Sequence, residues 1–360
     1  MRKHWIDNLR WVTVVLVLIY HVFYFYNNKG VFGGVGGFSD DPMAQPQDIV
    51  MYVLYPWFMM LLFLIAGISA RYAIDKPGFV SARTLKLLVP STVGLFVYHW
   101  ITGYVNTIIP AQMGVLPGGI IRYFISVVSG VGPLWFIQDL WIFSLLLVLI
   151  RKLDAADKFY DWCGKASAPV VALLGTIVYL CAQLLPGETD GQTASSLIVL
   201  YRPVTYLAVF LMGYFVFSHD EVQARVKSIT IPMIVAALVS GVAFIVTTYP
   251  KPQTSPAVLR SWLEILYAWT MILALTGAFM KWFDKTDRFA GYMTRSSFGL
   301  YIVHYEILAV VGWLLKNNTN LPPVAIYILL SLAVLGLSPV LYEILKRIPI
   351  VRWCVFGIKK

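Results

Sequence analysis

Residues 5–27 read WIDNLRWVTVVLVLIYHVFYFYN. Ionisable and amide groups gather at one end, as Asp7, Asn8 and Arg10, and the rest is aliphatic or aromatic except for Thr13, the terminal Asn27 and His21, well inside the run. As a helix the stretch is long enough to cross the roughly 30 Å of bilayer hydrocarbon. Arg2, Lys3 and His4 in front of it give the start the outline of a secretory signal. The apolar run is too long for one, however, and no small-residue cleavage site follows, so a retained first span is expected.

Runs of the same kind recur to the end of the chain, centred near 11–27, 49–70, 87–105, 134–150, 168–186, 196–217, 229–248, 262–281, 298–315 and 323–345. The chain is 59% hydrophobic and only 13% charged, against about 25% charged in a soluble domain. No polar block is long enough for a separate soluble unit. The expectation is an all-α polytopic membrane bundle of about ten spans, forming a single integral-membrane domain over residues 1–360. Segment 106–133 carries an apolar piece of about a dozen residues between PGG and GVGP, too short to span, and is expected to be a re-entrant or interfacial helix.

Basic residues set the orientation, because Lys and Arg are retained on the cytoplasmic side. Arg71, Lys76, Arg83, Lys86, Arg151, Lys152, Lys158, Lys165, Arg225, Lys227, Lys281, Lys285, Arg288 and Arg295 fall in alternate connections. This places both termini inside. The formal charge of +10 is then a property of topology, and nucleic acid is not expected as a partner. Cys163 and Cys354 fall in inner loops and Cys181 in a span, so no disulfide framework is implied. Two outer segments, 27–48 with Asp40, Asp41 and Asp48, and 187–196 with Glu188 and Asp190, read as flexible connectors or as covers for a polar ligand.

An ionisable group at membrane depth is costly unless it faces a cavity or a partner, so each is a functional hypothesis. Arg10 and His21 are eleven residues apart, which is three helical turns plus roughly 20°, or about 16 Å along one face. Asp7 lies one turn before Arg10. The bland alternative has Arg10 snorkelling to headgroups and His21 merely packed. In SSFGLYIVHYEIL (296–308), His304 is also near mid-depth, with Tyr301 a turn away on its face and Glu306 on another. In GPLWFIQDLWIF (132–143), Trp135, Gln138 and Asp139 project from one side. Asp139 can orient an imidazole, or it can be a stability partner for Arg122 or Arg202. His99, Glu264 and Glu343 also fall within or near the membrane.

These residues resemble the membrane acyltransferase 3 family, which includes enzymes that O-acetylate or succinylate bacterial surface glycans. The similarity runs through IDNLRWVTVVLVLIYH (6–21), WFMMLLFLIAGISARY (57–72), ARTLKLLVP (82–90), GPLWFIQDL (132–140) and SSFGLYIVH (296–304). Arg10 and His21 match the family's arginine, ten residues, histidine pattern; Gly299, Tyr301 and His304 match its C-terminal pattern. Pro133 stands where members commonly carry a histidine before Leu-Trp-Phe. A fused extracytoplasmic esterase-like domain is not matched, and a stand-alone membrane form is expected.

The resemblance implies transfer of an acyl group, with acetyl expected, from cytoplasmic acyl-CoA to a hydroxyl of an extracytoplasmic glycan or related small acceptor, in a bacterial inner membrane and without a metal. It implies His21 as general base with Asp7, Arg10, Asp139 and His304 in the catalytic group. Arg10, Arg71, Arg83 and Lys86 are then expected to hold the CoA, and Trp135, Gln138, Tyr301 and Glu306 the acceptor. Buried His, Asp and Glu in a multi-span chain also suit a proton-coupled transporter or glycan exporter, or a non-catalytic scaffold.

Overall fold

A computed structural model describes residues 3–29, 37–38, 45–108, 119–184 and 197–359. Among these residues the chain is helical with no strand. In order, the helices are α1 (His4–Phe25), α2 (Pro46–Arg71), α3 (Phe79–Tyr104), α4 (Gly119–Ser129), α5 (Gly132–Leu153), α6 (Lys158–Cys163) and α7 (Ala168–Gln183). There follow α8 (Pro203–Phe215), α9 (Asp220–Ser228), α10 (Thr230–Thr248), α11 (Trp262–Trp282), α12 (Arg288–Asn318), α13 (Pro323–Leu345) and α14 (Pro349–Cys354). The glycine-rich segment 30–36, Asp40, Asp41, Glu188 and Asp190 lie outside the described residues.

Among the described residues, eight helices are long and apolar enough to cross a bilayer: α1, α2, α3, α5, α10, α11, α12 and α13. The two other expected spans are shorter. α7 is interrupted at Leu174, and α8 has 13 residues, about 20 Å at 1.5 Å per residue. The sequence reason lies before Pro203. A residue preceding proline is pushed out of the helical region, and Arg202 sits at φ 46° in the left-handed region. The apolar Leu197–Leu200 stretch is not helical. It is pinned to α5 instead by the Gln138 side chain, which donates to the Leu197 carbonyl at 2.8 Å and accepts from the Val199 N–H at 2.9 Å. α4, with 11 residues, is likewise too short to span.

α1, α2, α11 and α12 are the most buried helices and form the centre, with α10 and α13 outside. α2 and α8 cross with backbone against backbone. A Cβ added to Gly67 would lie 2.0 Å from the Phe210 carbonyl oxygen, and one on Gly213 2.2 Å from that of Leu64. Small residues permit this approach where no hydrophobic effect drives helices together. α3 is irregular, with π-helical turns at Thr84–Leu88 and Leu95–His99 flanking Pro90, whose missing N–H breaks the hydrogen-bond ladder.

Polar clusters tie the ends of the bundle. Asp48 is buried between α1 and α13, accepting from the Tyr327 hydroxyl at 2.7 Å and the Asn28 N–H at 3.2 Å. Where α8 begins, Arg202 and Glu264 form a fully buried ion pair at 3.4 Å. Cys163, Cys181 and Cys354 are all free thiols.

Candidate functional site

α1 and α12 pack together and bring the two mid-helix histidines into contact, with Nε2 of His304 2.9 Å from Nδ1 of His21. His304 Nδ1 is 2.7 Å from the Tyr301 carbonyl oxygen. A carbonyl only accepts, so Nδ1 of His304 carries the proton. In neutral His304, Nε2 must then accept, and Nδ1–H of His21 is its donor. The chain of bonds leaves Nε2 of His21 with a lone pair and no proton, the form in which an imidazole acts as a base. His304 is fully buried while His21 is partly exposed, so the free nitrogen belongs to the accessible member of the pair.

Arg10 shares the His21 face of α1. It donates to the Ser69 hydroxyl of α2 at 2.7 Å and pairs with Asp7 at 3.3 Å. Arg83 of α3 lies close enough to feel the Arg10 charge, and its guanidinium stands 5.2 Å from the Phe79 ring. Lys86, one turn further on α3, donates to the Phe356 carbonyl at 3.2 Å and sits 4.4 Å over Phe298 of α12. Arg10 and Arg83 therefore lie near each other at one end of the helix that holds the free imidazole nitrogen, with Lys86 one turn along α3, and Asp7 is a carboxylate bonded to Arg10.

The sequence profile of an acyltransferase domain, that of the acyltransferase 3 family, matches residues 3–343. The chain belongs to the acyltransferase 3 family. No curated protein and no solved structure is significantly similar to it. Membership and the apolar helices together describe an integral-membrane enzyme that transfers acyl groups.

The family's small residue at Gly299 has a local packing reason here: a Cβ would lie 2.1 Å from the Tyr342 ring of α13. At the departure from the family pattern, the Pro133 carbonyl accepts a hydrogen bond from the Tyr301 hydroxyl, so the two motif segments on α5 and α12 are joined directly. Asp139 is fully buried near Tyr301. Among the described residues its carboxylate makes no close hydrogen bond, with the Tyr201 backbone as a loose neighbour, and none to either imidazole. The alternative role for Asp139 as partner of Arg202 is not realised, because Glu264 holds that arginine.

Trp135 stands in an aromatic wall with Tyr201 at 5.1 Å and Tyr206 at 5.6 Å. Tyr201 bonds the Tyr55 hydroxyl, and Tyr55 stacks on Tyr20 at 5.9 Å. Tyr20 and Tyr24 in turn approach the His21 ring at 5.4 and 6.0 Å. Within this wall Tyr24, Trp135 and Tyr201 are partly exposed, like His21, while Tyr20, Tyr55 and Tyr206 are buried.

Like Asp139, the expected site residues Gln138, Glu306 and Arg71 are not brought to the histidine pair. Gln138 spends both amide hydrogens on the Ser91 and Leu197 carbonyls, at 3.0 and 2.8 Å. Glu306 projects from another face of α12. It accepts from Thr102 and lies 3.6 Å from His99 Nδ1. Arg71 leaves α2 about 200° from Ser69, on the far side from Arg10. There it pairs with Asp157 at 3.1 Å, lies 3.9 Å over the Tyr160 ring and donates to the Tyr214 hydroxyl at 3.1 Å. Arg151 shares Asp157 at 3.1 Å, so Arg71 fixes the α5–α6 connection.

Sequence reasoning did not single out Ser69, Tyr20, Tyr24 or Tyr305, which touch Arg10 or His21. The aromatic density of LIYHVFYFY, residues 18–26, was a usable signal. Nothing in GISAR distinguished Ser69. Among the described residues, no group of three or more His, Cys, Asp or Glu is placed to hold a metal ion.

Proposed function

We propose that the protein is an O-acyltransferase that moves an acyl group, acetyl foremost, from acyl-CoA to a hydroxyl of a ring-bearing acceptor such as a glycan. His21 is its general base. The observation that carries this reading is the hydrogen-bonded order Tyr301 carbonyl, His304, His21, which leaves Nε2 of His21 unprotonated on the less buried residue of the pair.

In the proposed mechanism the acceptor hydroxyl oxygen attacks the thioester carbonyl carbon as Nε2 of His21 takes its proton. The tetrahedral intermediate then expels the CoA thiolate, which takes that proton back from Nε2. Neither step needs an acyl-enzyme. While His21 is an imidazolium, its Nδ1–H continues to donate to His304. His304 thus plays the orienting part that a carboxylate plays in a catalytic triad, as a neutral acceptor.

The cations Arg10, Arg83 and Lys86 suit CoA phosphates, since like charges held together at low dielectric repel unless an anion lies among them. Asp7 and Ser69 position Arg10. Tyr24, Trp135 and Tyr201 offer flat faces for a sugar ring beside His21, with Asp139 as an acceptor for a donor group near Tyr301. The basic connections favour an orientation with the Arg10 end toward the cytoplasm and the aromatic wall toward the outside, which suits a donor and an acceptor on opposite sides of one membrane.

The test uses purified protein in proteoliposomes without an ion gradient, supplied with radiolabelled acetyl-CoA and an envelope glycan extract. Label transfer is expected for the wild type and not for His21→Ala at equal protein level. Transfer by His21→Ala would remove His21 from the chemistry, and transport without acyl transfer would replace the enzymatic reading.

A further inference from the structure

A cavity of about 820 Å³ lies away from the histidine pair, between the C-terminal end of α5 and helices α6, α7 and α8. Most of its lining is apolar, including Ile150, Val170, Leu174, Ile177, Leu211 and Phe215. It exists because α7 is broken at Leu174 and α8 is shorter than a span, so neither fills the space beside α5. Leu153 and Trp162 on its edge are 88% and 66% exposed. In a bundle surrounded by lipid, an apolar cavity with such an edge is continuous with hydrocarbon.

The mouth differs in chemistry. Trp162, Lys165 and Ser167 line it, and tryptophan with lysine marks headgroup depth. The connection bearing Lys165 is held in place by Arg225, which donates to the Gly164 and Ala166 carbonyls at 3.1 and 2.6 Å. The Lys165 ammonium makes no ion pair or side-chain hydrogen bond among the described residues. The other charged lining group, Asp154, is turned to the start of α6, accepting from the Phe159 and Tyr160 N–H groups at 3.0 Å each. Those bonds hold its carboxyl below the usual carboxylate range.

We propose that this cavity is a binding site for one anionic phospholipid, with an acyl chain between α5 and α8 and the phosphate beside Lys165. The apolar lining selects an alkyl chain, and the exposed Lys165 ammonium on a backbone held by Arg225 selects the charge of the head. The site also abuts Cys163 of α6, the helix whose Tyr160 stacks on Arg71. A bound lipid therefore packs against the element that anchors the end of α2.

Native mass spectrometry of protein released from mixed phosphatidylglycerol and phosphatidylcholine nanodiscs tests this. Wild type is expected to retain phosphatidylglycerol in preference to phosphatidylcholine. Lys165→Gln should lower that preference about fivefold, the worth of one basic group near an anionic membrane surface. Ala208→Trp, which fills the cavity, should abolish retention; Ala208→Leu serves if the tryptophan variant does not elute as a single species. Equal retention of the two lipids by wild type, or unchanged retention in the filled variant, overturns the proposal.

Discussion

Replacing His304 probes the proposed mechanism most sharply, because this residue touches the base without reaching the substrate. His304→Ala removes the acceptor for Nδ1–H of His21, a contact of 2.9 Å. In the transition state that bond is made by an imidazolium, and a hydrogen bond to a charged group contributes about 1.5–3 kcal/mol. The expected loss in kcat is therefore roughly 10- to 150-fold. Removing the base itself with His21→Ala should cost about 10²–10⁴-fold. The two losses are not additive, since His304 acts only through His21, so the double variant should be no slower than His21→Ala. His304→Gln offers a carbonyl oxygen to the same Nδ1–H and should recover part of the rate. The assay is acyl transfer under saturating acyl-CoA, with KM for the donor measured in parallel and expected to be unchanged. Full activity of His304→Ala, or a double variant markedly slower than His21→Ala, would refute the relay.

Arg10→Ala and Arg83→Ala should each raise KM for acyl-CoA more than they lower kcat, while Arg71→Ala should leave that KM unchanged; donor titrations distinguish the two groups. Ser69→Ala removes one hydrogen bond to a charged group that Asp7 still holds, and should raise the same KM about tenfold. Glu264→Ala removes the carboxylate paired with the Arg202 guanidinium, whose side chain is 1% exposed, and should destabilise the fold by about 3–5 kcal/mol, read as a lower thermal midpoint in detergent. Burial, with a smaller contribution from Asp154, pushes the Cys163 thiol up to about 11. Its thiolate fraction at neutral pH is then about 10⁻⁴, and alkylation should accelerate about tenfold per pH unit toward that value; fast labelling at neutral pH would contradict the packing around α6.

Much of this architecture is written in composition and period. Apolar runs of span length with few charges admit helices in a bilayer and little else, because backbone groups in hydrocarbon must be paired within the segment. The same helical arithmetic placed Arg10 with His21 on one face of α1, and Tyr301 with His304 on one face of α12 while setting Glu306 apart. It misjudged the apolar stretch before Pro203, where hydrophobicity was read as helix although the backbone is non-helical and bonded to Gln138.

What tertiary structure alone decided is which faces meet. That His21 and His304 touch, and hence which ring nitrogen is free, depends on the rotation of α1 against α12. Arg71, Arg83 and Lys86 look alike as basic residues near helix ends. Only packing gives Arg71 to Asp157 and turns Arg83 toward Arg10. Periodicity fixes positions around one helix axis, whereas a hydrogen bond between helices depends on the docking of both, set by side chains hundreds of positions apart.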